Sequence, residues 1–125
     1  MKLLLIFLLT LSLYADHDGK KEHQLSKDLS SLDLSSDQKE RAKSLLKQYR
    51  VDLKVFREFK ETMEDQKERL FMQERLNEED LQAINQAINQ KAKALESSFL
   101  VQMHRLLTPE QRQKFAHNLE EWEVE

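Results

Sequence analysis

The sequence predicts an all-α protein built around two long helices. The 125 residues include one glycine and one proline, so the residues that most often interrupt a helix are nearly absent. Runs of β-branched residues, which are typical of strands, are equally scarce. Apolar residues recur at intervals of three and four along two long stretches, which is the spacing of a single helix face.

The first 15 residues have the proportions of a secretory signal peptide. Lys2 supplies a positive charge, an apolar run of about 12 residues follows, and Ala15 precedes an abruptly polar stretch. A retained membrane anchor is the alternative, but a span of the bilayer takes about 20 apolar residues. We therefore predict export to the periplasm, cleavage near Ala15, and a mobile tail over residues 16–23.

The composition after this leader excludes several classes of function. Without residues 1–15 the chain has 19 basic and 23 acidic residues, and this net negative charge gives no reason to expect a nucleic-acid partner. Since cysteine is absent, disulfides, thiol catalysis and thiolate metal sites are excluded together. The sequence has no glycine-rich phosphate loop and no His-Glu-x-x-His pair, and we expect a protein that is not an enzyme.

A single helical domain is expected from residue 24 to residue 125, starting with a short helix over residues 24–32. The first long helix should run from about Asp37 to about Arg75, a length of roughly 55 to 60 Å at 1.5 Å per residue. Its apolar face consists of Ala42, Leu45, Leu46, Tyr49, Leu53, Phe56, Phe59, Met63 and Leu70.

The second long helix should begin after Asn77, whose side chain can cap it and which three acidic residues follow. Its apolar face consists of Leu81, Ile84, Ile88, Ala92, Leu95, Phe99, Met103 and Leu106. We expect the two long helices to fold back on each other as a hairpin. A last helix should run from Pro109 to about Trp122 and bury Phe115, Leu119 and Trp122.

Two helix starts share one pattern, in which a leucine, a hydroxyl residue, two further residues and a glutamine follow one another. The members are Leu34, Ser35 and Gln38 in the first copy and Leu107, Thr108 and Gln111 in the second. The hydroxyl can accept a hydrogen bond from the backbone N–H three residues later, and the glutamine side chain can reach back to the N–H of the cap residue. The pattern therefore predicts a capping box at each start, with Pro109 at the first helical position of the second.

This pair of motifs resembles the LTxxQ motifs of a family of periplasmic proteins that includes Spy and CpxP, together with related metal-resistance proteins of the CnrX and ZraP type. The resemblance covers most of the chain after the leader in its order of elements, with Ser35 where threonine is usual. It implies a hooked four-helix hairpin that pairs with a second copy into a thin, intertwined homodimer. It also implies either ATP-independent binding of unfolded envelope proteins or metal binding with signalling to an inner-membrane sensor protein.

Five basic residues step along the first long helix at intervals of four, three, four and three. This basic stripe consists of Lys43, Lys47, Arg50, Lys54 and Arg57, and it lies beside Leu46 and Leu53. Residues 39–60 include eight basic and three acidic residues, whereas residues 61–96 include five basic and nine acidic ones. An apolar surface bordered by cations suits loose capture of unfolded client proteins, and an ordinary solvated helix face is the alternative.

A thin hairpin of this length cannot cover both sides of its apolar face. We expect much of Tyr49, Leu53, Phe56, Phe59 and Met63 to face water in a monomer. An antiparallel homodimer should bury part of this surface, with the basic stripe bordering a shared concave surface that holds clients.

The competing reading is a divalent transition-metal site formed by His23, Met103, His104 and His117. Imidazole and thioether groups suit zinc, copper, nickel or cobalt. In the metal-sensing relatives a histidine and a methionine one turn apart precede the second motif; Met103 matches that methionine, whereas Phe99 occupies the position of the histidine. We favour client binding without a cofactor.

Overall fold

The computed structural model describes residues 29–125. The predicted signal peptide, the predicted tail over residues 16–23 and the beginning of the predicted first helix lie outside the described residues. The chain divides into two compact units, Met1–Ser35 and Ser36–Glu125, whereas the sequence predicts one domain from residue 24 onward.

In the described part of the first unit, two helical residues are followed by a turn. Leu29 and Ser30 are helical, and the N–H of Leu32 donates to the carbonyl of Leu29 at 3.1 Å in a tight turn. The helical segment therefore ends two residues before its predicted end at Leu32. Asp33 follows with φ of 53°, in the left-handed region that aspartate tolerates better than most residues.

The second unit is entirely helical in its regular structure. It contains α1 (Ser36–Phe71), α2 (Glu78–Leu106) and α3 (Pro109–Ala116), followed by a short 3₁₀ helix (Leu119–Trp122). The all-α prediction is thus confirmed for the described residues. None of the helices between residues 29 and 125 combines the length and the apolar character that a membrane span requires.

The first long helix ends earlier than its periodicity predicts. α1 stops at Phe71, four residues before Arg75, and has a length of about 54 Å. The N–H of Gln73 donates to the carbonyl of Leu70 at 3.2 Å, an i to i−3 bond that tightens the last turn and leaves the α-helical ladder. The chain must reverse direction before the next helix begins at Glu78. The residues after Phe71 therefore form a turn, although the sequence predicts that the helix continues through them.

The start of the second long helix is the predicted one. The Asn77 side chain accepts a hydrogen bond from the backbone N–H of Asp80 at 3.2 Å, and Glu78, Glu79 and Asp80 occupy the first turn. These acids lie at the positive end of the helix dipole. The capping prediction at Asn77 is confirmed.

The two long helices pack against each other and run antiparallel. The ring of Tyr49 in α1 lies 4.3 Å from the ring of Phe99 in α2, and the ammonium group of Lys91 lies 4.2 Å above the ring of Phe59. The core consists of Ala42, Leu45, Leu46, Tyr49, Phe56, Ile84, Ala92, Phe99, Met103, Leu106, Leu107, Trp122 and Val124.

Part of the predicted water-facing surface is already covered within the single chain. Tyr49 and Phe56 are buried, contrary to the expectation for a monomer, while Leu53, Phe59 and Met63 are partly exposed. For Tyr49, Phe99 of α2 and the C-terminal segment supply this cover, since the Phe99 and Trp122 rings lie 4.3 Å and 6.3 Å from the Tyr49 ring.

The last predicted helix is interrupted. α3 ends at Ala116, and the 3₁₀ helix begins only at Leu119. In one continuous α-helix Phe115 and Trp122 would be separated by about 10 Å along the axis, whereas their stacked rings have centroids 5.6 Å apart. The break allows this stacking, and it leaves Leu119 exposed where the sequence predicts a buried residue.

Candidate functional site

The two motif glutamines pair with each other across the second unit. The Gln38 amide nitrogen donates to the side-chain oxygen of Gln111 at 2.8 Å, and the Gln111 amide nitrogen donates back to the side-chain oxygen of Gln38 at 3.2 Å. Gln38 also donates to the carbonyl of Leu106 at 3.0 Å, one of the carbonyls that the end of α2 leaves without an intrahelical donor. This glutamine pair therefore ties the start of α1 to the junction between α2 and α3.

The second motif forms its capping box. The Thr108 hydroxyl accepts from the backbone N–H of Gln111 at 3.4 Å, and the Gln111 side-chain oxygen accepts from the N–H of Thr108 at 2.9 Å. Leu107 beside it is buried. In the first motif Leu34 is buried and α1 begins directly after Ser35, while the capping bonds at Ser35 stay a prediction.

A cluster of four aromatic rings closes the same end of the unit. Phe99 stacks on Trp122 with centroids 4.9 Å apart, and Tyr49 and Phe115 flank them. The Tyr49 hydroxyl donates to the carbonyl of Trp122 at 3.4 Å. Burial raises the pKa of this hydroxyl, the Glu96 carboxylate raises it further, and Arg57 acts in the opposite direction.

The basic stripe lies on α1 beside the side that faces the core. Lys43, Lys47 and Lys54 are exposed, and Arg50 and Arg57 are half-buried. At 100° per residue these five side chains fall within a sector of about 80°. Within residues 29–125 no ion pair holds the three lysines, so their charges are available to a partner.

The two apolar residues predicted beside the basic stripe differ in exposure from the lysines. Leu46 is buried in the core and Leu53 is half-buried, because both lie toward the core side of the helix. Val51 and Val55, each 53% exposed, border the basic stripe on its other side. They follow Lys47 at intervals of four, and that spacing in the sequence could have identified them.

A second exposed apolar surface lies at the connection between α1 and α2, and the sequence analysis does not predict it. Phe71 and Met72 are 78% and 74% exposed, and Leu76 is partly exposed beside them. Together with Leu81 they line an open cleft of about 570 Å³. We call Phe71, Met72 and Leu76 the connection patch.

The candidate metal ligands are not brought together. His23 lies outside the described residues, Met103 is completely buried in the core, and His104 and His117 are exposed. Neighbouring positions on a helix point about 100° apart, so Met103 and His104 diverge. Among residues 29–125, no three histidine, aspartate or glutamate side chains form a group that could hold a metal ion.

No family, curated protein or solved structure matches this chain. The resemblance to LTxxQ proteins stays a prediction from the two motifs.

Proposed function

We propose that the protein is a periplasmic, ATP-independent chaperone or envelope-stress protein that binds unfolded proteins on the surface of a helical-hairpin homodimer. One observation carries this proposal: the exposed Val51 and Val55 lie beside exposed lysines that have no ion-pair partner in the described residues. Long-range attraction to cations raises the rate of encounter with acidic segments. Weak apolar contacts then hold the segment without closing on it.

Charge and apolar exposure both support a second copy of the chain as a partner. The basic half of α1 and the acidic residues near the connection carry opposite charge excesses, and an antiparallel homodimer would place them beside each other. The exposed connection patch would gain cover in such a pairing. The leader-like first 15 residues support a periplasmic location.

Aggregation suppression tests the client-binding surface. We expect the double variant Lys47→Glu, Lys54→Glu to lose most of the protection of an acidic client, because attraction becomes repulsion. A matched control, Arg105→Glu with Lys114→Glu, changes the net charge equally at exposed positions outside the basic stripe and the connection. Circular dichroism should show that all chains stay helical.

Salt separates the two contributions. Screening over a Debye length of about 8 Å at physiological ionic strength should slow capture by the wild type, while the apolar contribution of Val51 and Val55 persists. Equal protection by the stripe variant and the control would refute the role of the basic stripe.

A further inference from the structure

The C-terminal segment lies in a groove between the two long helices. Trp122 is 2% and Val124 is 5% exposed, while Glu123 between them faces the solvent. Glu123 has extended backbone angles, so successive side chains point to opposite sides. Residues 122–125, hereafter the tail, therefore insert an aromatic and an aliphatic side chain two positions apart.

The groove continues beyond the part that the tail fills. Around Val124 it is lined by apolar side chains such as Phe56, Ile88 and Ala92, and an open cleft of about 550 Å³ lies beside the last residues of the chain. Its rim carries three lysines and one glutamate from the long helices, namely Lys60, Lys67, Lys93 and Glu64. The acidic residues Glu123 and Glu125 of the tail complement this positive rim.

The polar contacts of the tail are made by its backbone. The N–H of Val124 donates to the Glu96 carboxylate at 2.9 Å, and the carbonyl of Trp122 accepts from the Tyr49 hydroxyl at 3.4 Å. Backbone contacts of this kind are available to any extended polypeptide, and only the two side-chain pockets select residue types.

The tail follows a weakly capped connection. It is joined through a four-residue 3₁₀ helix whose cap position, Asn118, makes no side-chain capping bond. Two polar contacts with the long helices and two inserted side chains, Trp122 and Val124, hold it.

We propose that this groove is a polypeptide-binding site that the tail occupies in cis, and that an unfolded acidic segment with an aromatic-x-aliphatic pattern displaces the tail. The tail thereby acts as a built-in competitor that keeps Tyr49, Phe56 and Phe99 covered until a client arrives. This regulation rests on the protein-binding function proposed above and assigns it a second, sequence-selective site.

Trp122 reports on the tail directly, since it is the single tryptophan of the chain. The probe is a heptapeptide with the sequence of residues 119–125 and phenylalanine in place of tryptophan. Adding it to the full chain should shift Trp122 emission to longer wavelength and increase acrylamide quenching severalfold. Binding of the peptide with Trp122 emission unchanged would overturn displacement.

The variant Val124→Asp tests whether the tail competes. A carboxylate at this position enters an apolar pocket beside Glu96, so the tail should leave while the long helices stay folded by circular dichroism. We expect at least tenfold tighter binding of the heptapeptide. The exposed Glu120→Gln in the same segment is the matched control and should bind like the wild type.

The outcomes distinguish this inference from the chaperone function. If Trp122 becomes accessible in Val124→Asp and peptide affinity does not rise, the tail is merely part of the core and the groove is not a binding site. If clients are protected while Trp122 stays buried, the chaperone function stands and displacement is wrong. If the peptide binds and no client is protected, the groove stands and the chaperone function fails.

Discussion

The two ends of the second unit differ in how far their aromatic side chains are exposed: they are mostly buried at one end and lie in solvent at the other. At the closed end, where α1 begins and α2 meets α3, the cluster of four aromatic rings and the glutamine pair connect the three helices. At the open end, the connection between α1 and α2, Phe71 and Met72 lie almost fully in solvent. The long helices are continuous between the ends, so the difference arises from α3 and the tail, which cover one end only. Substitutions at the closed end should therefore affect mainly the stability of the fold. Substitutions at the open end should affect mainly the formation of the proposed homodimer.

The same substitution at the two ends gives the largest expected contrast. Phe99→Ala removes a ring that is 2% exposed and should lower the free energy of unfolding by about 3–5 kcal/mol. Phe71→Ala removes a ring that is 78% exposed and should change the stability of a monomer by about 0.5 kcal/mol or less. Urea denaturation of both variants measures the two values.

Protein concentration sharpens the contrast. The cost of Phe99→Ala should not depend on concentration, whereas Phe71→Ala should become costly only where the homodimer forms. Equal costs for the two variants in dilute solution would show that the connection patch is part of the core, contrary to its exposure.

The closed end also shows which features of the fold can be predicted from the sequence and which cannot. The helix types, the Asn77 cap and the Thr108 capping box depend on residues close together in the chain, and local chemistry is sufficient for them. The fold-over of Trp122 onto Phe99 is a tertiary contact between residues 23 positions apart, and no local pattern specifies it. The periodicity of the sequence instead predicts one continuous helix from Pro109 to about Trp122, whereas the structure has a break after Ala116.

The candidate site shows the same limit. The spacing of the basic stripe predicts that its five residues lie in one sector of a helix. They do, because α1 is continuous through all five positions. Leu46, which the sequence places beside the stripe, faces the core and is buried. The spacing of Val51 and Val55 from Lys47 identifies the other flank of the stripe, but how far each valine is exposed depends on the packing of the folded chain.

The second prediction concerns the glutamine pair of the closed end. Since each amide both donates and accepts, a double-mutant cycle with Gln38→Ala and Gln111→Ala should give a coupling energy of about 1 kcal/mol. The control is Gln48→Ala on the same helix, whose exposed amide donates only to Asp52 one turn away. It should cost about 0.5 kcal/mol or less. A coupling energy near zero would mean that the two motifs are capping devices without a link between them.

The third prediction is a pH dependence at the closed end. The pKa of Tyr49 is raised by burial and by Glu96, so the folded chain holds the hydroxyl proton more tightly than the unfolded chain does. The stabilisation is fully present below the unfolded pKa of about 10. It is lost as pH rises through the folded pKa, because the unfolded chain then binds fewer protons.

Tyr49→Phe removes this titration. The stability of the wild type relative to Tyr49→Phe should fall between pH 7 and pH 10.5, as measured by urea denaturation at both values. All other groups are common to the two chains, so their contributions cancel in the difference. A difference that is independent of pH would show that Tyr49 titrates normally in the folded chain.

The smallest expected effect is that of added metal ions, although the closed end contains the candidate ligands Met103, His104 and His117. A ligand that binds only the folded chain raises its stability by about 2.7 kcal/mol at a concentration 100 times its dissociation constant. Met103 is fully packed among core side chains, and ligation would require it to leave them. His104 and His117 are exposed, and the backbone carbonyl of His104 is engaged by the Arg112 guanidinium at 2.9 Å, which holds α3 beside the end of α2. We therefore expect zinc, nickel, cobalt and copper to leave the unfolding midpoint of the full chain unchanged. A saturable rise with one ion that disappears in His104→Ala would contradict this and favour the metal-binding reading, with His23 as the next ligand to substitute.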